Sequence, residues 1–164
     1  LKTIVLRNLA LMKEHLLAMG IRPLDIWAGG ATVQGTLELD ALLCPGVLTW
    51  TAWQAIQRGL APGGPTVALC VMDDLKAIQQ GRLHPGGTLV AVEVGWSEAN
   101  GGPEHQAAVR REAMEGAYTV GVPVGLWTAS DWPHDQRDPK ESNYGLLDEQ
   151  GRPKPALAVW QALS

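Results

Sequence analysis

The chain has 164 residues, a length that fits one domain with a hydrophobic core of its own. Its formal net charge is −4, and its lysines and arginines are scattered, with Arg110 and Arg111 as the only adjacent basic pair. A nucleic-acid surface would show a basic stripe, so we exclude nucleic acid as a partner. No run of about 18 apolar residues occurs, and we therefore expect no membrane-spanning helix.

The cysteines and tryptophans indicate which kinds of functional site the chain could contain. Cys44 and Cys70 each lie in an apolar run, without CxxC spacing or a nearby histidine in the sequence, so we expect buried reduced thiols rather than a disulfide or a metal site. The chain has no Phe but seven Trp. An indole ring fills a core, and it also stacks on flat apolar surfaces such as the face of a sugar ring.

The first half of the chain alternates short apolar runs with amphipathic segments. Residues 3–19 place leucine, valine and methionine at helical spacing, and Gly20 ends the predicted helix. Short buried strands are predicted at residues 23–27 and 47–50. Amphipathic or helical segments are predicted at residues 36–43 and 53–60.

The second half begins after a Pro- and Gly-rich break at residues 62–65 and shows the same alternation of apolar runs and amphipathic segments more clearly. Strands are predicted at residues 66–71, 88–94 and 122–127, and helices at 73–80, 104–118 and 155–163. The long segment 129–143 is predicted to be an irregular loop of the kind that is often functional.

Short apolar strands that alternate with amphipathic helices indicate parallel β/α units, with the sheet buried on both faces. Four or five such units fit in this length. They would form about half of a (β/α)8 barrel, whose complete form needs roughly 200 to 250 residues, or a small doubly wound sheet. No GxGxxG, GxxxxGKS or GxxxxGKT motif follows a predicted strand, so we expect no nucleotide cofactor.

Glu93 is the best candidate for a catalytic residue. It ends the predicted strand 88–94, where a carboxylate is costly unless it points into a polar cavity. Strand alternation predicts that Ala91, Glu93 and Gly95 share one side, which leaves room beside the carboxylate. The carboxyl ends of parallel strands build the active site in such folds. The structural alternative is a glutamate paired with a neighbouring arginine.

The last predicted strand adds an aromatic residue and a carboxylate at the same edge. Trp127 could form the floor of a sugar subsite, Trp132 could line the cleft, and Asp131 is a candidate second carboxylate. Trp96 and Trp27, which follow or end predicted strands, are further candidates for substrate binding. Each tryptophan could instead be an ordinary core or loop anchor.

Two groups of residues carry a family resemblance. The segment Glu93-Val94-Gly95-Trp96-Ser97 resembles the sequence around the nucleophile of clan A glycoside hydrolases, most closely endo-1,3-β-glucanases and their bacterial glucanosyltransferase-like relatives. Residues 125–127, 143–148 and 151–156 are similar to the aromatic-rich last strand and the tail of those enzymes. The match covers about residues 87–163, whereas the first 86 residues carry no motif that matches.

The resemblance implies a partial TIM barrel and a retaining mechanism. Two carboxylates about 5 Å apart would flank the glycosidic bond of a β-glycan. Glu93 would be the nucleophile, and Trp127 would be the platform of the central subsite. In that clan the acid/base glutamate follows an asparagine at the end of the fourth strand, and no Asn-Glu pair occurs in this sequence.

Three explanations account for the missing acid/base. It could lie on a portion that precedes Leu1, which we favour; Asp131 or Glu98 could replace it; or it could be absent. We therefore interpret residues 1–164 as one β/α domain, the C-terminal portion of a larger barrel. Its partners would be an oligo- or polysaccharide and either a second copy or a missing N-terminal half. The location is extracellular or within a larger assembly if the parent chain carries a signal, and otherwise cytoplasmic.

The sequence leaves three classes of function. The first is a β-glycan hydrolase or part of one. The second is a catalytically incomplete carbohydrate-binding or structural domain within a larger assembly. The third is a doubly wound protein of unrelated chemistry, which the ordered motifs disfavour.

Overall fold

The computed structural model describes residues 2–132 and 142–164 of the chain. The strands are β1 (Trp27–Gly30), β2 (Val47–Thr51), β3 (Thr88–Val94) and β4 (Val124–Leu126). The helices, in chain order, are α1 (Lys2–Ala18), α2 (Val33–Leu43), α3 (Trp53–Gly59), α4 (Val67–Gly81), α5 (Pro103–Thr119) and α6 (Pro155–Leu163). Most of the predicted loop 129–143 lies outside the described residues.

The four strands form one parallel sheet in the order β1-β2-β3-β4. Each neighbouring pair is joined by a helical crossover: α2 between β1 and β2, α3 and α4 between β2 and β3, and α5 between β3 and β4. Such crossovers are right-handed almost without exception, so strands added in one direction keep their helices on one face. This sequential order is that of a barrel segment and contradicts a doubly wound sheet, which requires a reversal of strand order.

Burial alternates along the strands, because one face of the sheet packs against the helices. Leu48 and Trp50 of β2 and Leu89, Ala91 and Val94 of β3 are buried in the core. Their partners in the same cluster come mainly from α3, α4 and α5. The expectation of a sheet covered on both faces is therefore wrong for the described residues. Thr49, Thr51, Val90 and Val92, on the other face, are only half-buried.

The strand predicted at residues 66–71 is also wrong, because this segment is the start of α4. Thr66 caps the helix, and its side-chain oxygen accepts a hydrogen bond from the Leu69 amide at 3.3 Å. The buried side chains of α4 follow helical spacing: Val67, Cys70, Val71, Leu75 and Ile78. A short apolar run fits a buried strand and a buried helix equally well, and the cap decides between them.

The N-terminal helix is present as predicted, but most of its apolar side chains are not covered by the described residues. Ile4 and Leu11 of the helix are more than half exposed, and so are Met19, Leu24 and Trp27 in the segment that leads from the helix into β1. The segment predicted as a strand at residues 23–27 is instead a short 3-10 helix, Pro23–Asp25, and β1 begins only at Trp27. The exposed apolar side chains therefore concentrate beside the β1 edge of the sheet.

Candidate active site

A cleft of about 550 Å³ lies at the carboxyl ends of the four strands. Parallel α/β folds build their sites at this edge, where the loops that follow the strands meet. The residues that line the cleft are Gly29, Gly30, Ala31, Thr51, Trp53, Gln54, Glu93, Trp127 and Tyr144.

Glu93 reaches this cleft through an irregularity in β3. Ala91 pairs with Val124 and Val94 pairs with Leu126, so β3 has one more residue than β4 between these pairs. Glu93 has a φ of 54°, in the left-handed region, and its side chain is exposed. The bulge separates Glu93 from Ala91, which faces the helices, so the predicted alternation of Ala91, Glu93 and Gly95 on one side is wrong.

The carboxylate of Glu93 is not held in the structural ion pair that was its alternative explanation. Within residues 2–132 and 142–164 it has no salt bridge and no side-chain hydrogen bond. The carboxylate of Glu93 is exposed near the carboxyl end of β3 and is therefore available to a ligand. Non-glycine residues in this conformation carry strain, which concentrates at functional sites.

Trp127 forms one wall of the cleft. It follows β4 directly, lines the cleft together with Glu93, and is 38% exposed. Trp132 is 54% exposed and meets Trp127 edge to face, with ring centroids 6.0 Å apart. Trp132 is outside the lining of the cleft and extends the aromatic surface beyond it.

Trp53 and Tyr144 are cleft residues that the sequence reasoning missed. Trp53 starts α3 two residues after the end of β2, and Tyr144 lies in the segment 143–148 that carries the family resemblance. The signal that could have found Trp53 is its position just after the end of a strand. Trp96 is outside the lining of the cleft and stacks on Trp53, with ring centroids 5.3 Å apart, so it supports a wall of the cleft from behind.

Two buried polar side chains of α5 hold the backbone of the aromatic walls. The Arg110 Nη2 donates to the carbonyl oxygens of Trp127 at 3.2 Å and Tyr144 at 3.0 Å. The Gln106 Nε2 donates to the carbonyl of Asn143 at 3.0 Å. Both side chains are completely buried, and burial lowers the pKa of Arg110 to about 10. Burying a cation costs free energy, so the two hydrogen bonds from Arg110 to the backbone of Trp127 and Tyr144 indicate that its role is to hold the walls of the cleft.

Asp131 has a different environment from the one expected of a second catalytic carboxylate. Its side chain is buried and forms an ion pair with Lys154, whose ammonium also meets Glu98 at 3.0 Å. Its other carboxylate oxygen accepts a hydrogen bond from the Gly145 amide at 2.7 Å. Neither Asp131 nor Glu98 lines the cleft. The contacts of Asp131 connect the loop after β4 to the segment before α6, and they leave the Asp131 carboxylate engaged rather than free.

Trp27 is not brought to the cleft. It is the first residue of β1 and pairs with Val47, the first residue of β2, so it lies at the amino end of the sheet. The carboxyl end of β1 is formed by Gly29 and Gly30, which line the cleft without side chains. Trp27 was expected at the carboxyl end of a strand at residues 23–27, whereas the strand in the structure begins at Trp27.

Structural comparison shows two solved enzyme structures with a similar fold. The chain is similar to the crystal structure of a glycoside hydrolase family 17 β-1,3-glucanosyltransferase from Rhizomucor miehei, with a TM-score of 0.62 and 16% identity over 94% of this chain and 57% of that chain. The chain therefore has the fold of part of a (β/α)8 barrel. An active-site mutant of the Rhizomucor miehei enzyme in complex with laminaritriose gives a TM-score of 0.61 and 15% identity, over 92% of this chain and 55% of that chain. No protein-family model and no curated protein matches the chain.

The barrel segment therefore spans little more than half the length of the enzymes that it resembles. Glu93 is the one carboxylate among the described residues that line its cleft. The described part of the chain contains no group of three or more metal-ligating side chains and no helix long and apolar enough to cross a membrane.

Proposed function

We propose that this chain is the nucleophile-bearing part of a retaining glycoside hydrolase or glucanosyltransferase that acts on β-glycans. The observation that carries the proposal is the position of Glu93, whose exposed carboxylate enters a cleft at the strand ends with Trp127 as another wall. The barrel fold and the resemblance of residues 93–97 to the nucleophile segment of clan A enzymes support the same assignment.

In the proposed reaction a glucosyl ring lies on the indole of Trp127. The Glu93 carboxylate attacks the anomeric carbon, and the glycosidic C–O bond breaks as the leaving oxygen takes a proton from an acid. Water or the hydroxyl of a second sugar then attacks the glycosyl ester and releases Glu93. A β-1,3-linked glucan is the substrate class that we infer, because one structural neighbour was determined with laminaritriose bound.

The acid that protonates the leaving group lies, in this proposal, on a β/α unit that precedes α1. If β4 is the last strand of a barrel, β3 is the seventh and β1 is the fifth, so the fourth strand would come before the chain described. The larger size of the structural neighbours and the exposed apolar side chains of α1 support this assignment.

The partner that completes the barrel would cover the β1 edge and α1. Free strand edges and contiguous apolar surface both favour such pairing. Full protection of the α1 amides from hydrogen exchange in this chain alone would contradict this part of the proposal, because it would show that α1 is stable without a covering unit.

A second function has a specific observation in its favour. Because Glu93 is the one carboxylate among the described lining residues, the chain could be a carbohydrate-binding domain that does not cleave its ligand. Loss of one carboxylate removes turnover but leaves the stacking surface, since binding and bond cleavage use different groups.

Binding of laminaritriose and cleavage of an activated glucoside separate the two functions. Trp fluorescence should change on titration with laminaritriose in both cases, because Trp127 and Trp53 line the cleft. A dinitrophenyl β-glucoside needs no acid for its leaving group, so a chain that bears the nucleophile should also release dinitrophenolate, and Glu93→Gln should abolish this release. The matched control is Glu115→Gln, the same change at an exposed position of α5. Binding without any release by the wild-type chain would favour the binding domain, and neither binding nor release would contradict both.

A further inference from the structure

A cysteine, a histidine and a lysine from three different elements meet at the amino end of the sheet, away from the cleft. The Cys44 sulfur lies 2.9 Å from the Nε2 of His84, and the Lys13 ammonium lies 3.6 Å from the same sulfur. Lys13 belongs to α1, Cys44 caps the end of α2, and His84 precedes β3. The sequence reasoning placed no histidine near Cys44, because the two residues are 40 positions apart.

The histidine is fixed in place by a buried ion pair. Its backbone amide donates to the Asp40 carboxylate at 3.0 Å, and its carbonyl accepts from the Arg82 guanidinium at 2.8 Å. Asp40 and Arg82 are themselves paired at 3.3 Å, with almost no exposed side-chain surface. His84 is therefore attached at both of its backbone groups, which limits the positions that its ring can take.

The lysine is held in a similar way. The Lys13 ammonium donates to the carbonyl of Leu42 at 2.8 Å, which keeps it beside the end of α2. Cys44 itself is half-buried and has a φ of 49°. A thiol that contacts an imidazole and an ammonium, on a residue that is only half-buried, has the surroundings of a reactive cysteine rather than a packing residue.

We propose that Cys44 is a modification site that forms a mixed disulfide with a low-molecular-weight disulfide. His84 takes the thiol proton on Nε2 as the sulfur attacks one sulfur of the reagent. A new S–S bond forms, the S–S bond of the reagent breaks, and the released thiolate takes the proton back from His84. The sulfur of Cys44 is oxidised and the leaving sulfur is reduced, so no further oxidant is needed. Lys13 stabilises the negative charge that develops on the attacking sulfur.

Cys70 provides an internal control. It is 5% exposed and lies in the core cluster between α4 and its neighbours. A small disulfide can reach it only when the chain opens, so it should stay unmodified in the folded protein.

The test uses oxidised glutathione with the folded wild-type chain, and peptide mass spectrometry to locate the adduct. We expect modification at Cys44 and none at Cys70, and reversal by dithiothreitol. His84→Gln should slow the reaction at Cys44 by about 100-fold, the lower end of the range for loss of a positioned base. Lys13→Gln should slow it less, because it removes a charge and leaves the proton acceptor in place.

Reaction in urea separates this effect from a change in folding. In the unfolded state the wild type and both variants should react at one common rate at Cys44, and the folded wild type should react faster than that rate. Equal rates for folded wild type and folded His84→Gln would overturn the proposal. If His84→Gln does not fold, a folded wild-type rate at or below the unfolded rate would overturn it equally. These outcomes are independent of the proposed glycan chemistry, because Cys44 lies outside the cleft.

Discussion

The guanidinium of Arg110 donates a hydrogen bond to the backbone carbonyl of Trp127 across a distance of 3.2 Å, from a position with no exposed surface. The same Nη2 atom reaches the carbonyl of Tyr144. One buried side chain of α5 therefore joins two aromatic residues of the cleft, which come from segments 17 residues apart.

The protonation of Arg110 should be visible in the pH dependence of stability. Burial lowers its folded-state pKa to about 10, well below the usual value of an arginine, so above about pH 10 the unfolded chain binds more protons than the folded chain. The contribution of this group to the free energy of unfolding therefore rises with pH in that window. Relative to Arg110→Met, the wild type should gain about 1 kcal/mol between about pH 9 and pH 11 in urea unfolding.

Arg111→Met is the matched control, since Arg111 is the next residue of α5 and is exposed. The stability of this control should follow the wild type at both pH values. A constant difference between wild type and Arg110→Met across the window would show that Arg110 does not titrate as its burial requires.

The two exposed tryptophans at opposite ends of the sheet should differ in ligand binding. Trp127→Ala removes an aromatic wall of the cleft and should weaken laminaritriose binding by about tenfold, equivalent to about 1.4 kcal/mol. Trp27→Ala removes a side chain that is 74% exposed at the amino end and should leave the dissociation constant unchanged. Calorimetric titration of both variants checks this, and equal losses would exclude Trp127 as the sugar platform.

The left-handed conformation of Glu93 should have a measurable cost. At a φ of 54° glycine is free of the steric conflict that a Cβ atom introduces, so Glu93→Gly should be more stable than Glu93→Ala by about 1 kcal/mol. Thr88 is an exposed residue of the same strand without a positive φ. There the order should reverse, with Thr88→Ala more stable than Thr88→Gly. Urea midpoints of the four variants provide the comparison, and the same order at both positions would argue against the bulge.

Asp131 should behave as a structural residue. Asp131→Asn removes the charge that pairs with the buried Lys154 ammonium and should lower the free energy of unfolding by about 3 kcal/mol. Asp25→Asn, which breaks the exposed pair with Arg22, should change stability little. The expectation that Asp131 is the second catalytic carboxylate would be restored if its variant kept full stability and lost all turnover.

Elements could be predicted from the sequence where the hydrophobic periodicity and the residues that begin and end the element indicate the same structure. Helix α5 and strand β3 have clear patterns, and the positions of Glu93 and Trp127 at the strand-end cleft could be predicted because strand ends build the sites of parallel folds. Residues 66–71 were misassigned because an apolar run without alternation has no period of its own, and only the Thr66 cap identifies the helix.

Other parts of the site depend on contacts that a linear pattern does not contain. The bulge at Glu93 is defined by its pairing with β4, and the ion pair of Asp131 depends on a lysine 23 positions away in the chain. Trp96 was assigned to the cleft because it follows a strand, yet its ring stacks behind Trp53. Likewise, Trp27 was assigned to the wrong end of the sheet because its strand was placed too early.

Covalent trapping tests the role of Glu93 most directly. A 2-deoxy-2-fluoro glucoside with a dinitrophenolate leaving group needs no acid, so the trap works even if the acid/base lies outside the described chain. We expect one glycosyl adduct on the peptide that contains Glu93, with no adduct on Glu93→Gln and an unchanged yield on Glu115→Gln. An adduct on any other carboxylate, or an undiminished adduct on Glu93→Gln, would contradict the assignment of Glu93 as the nucleophile.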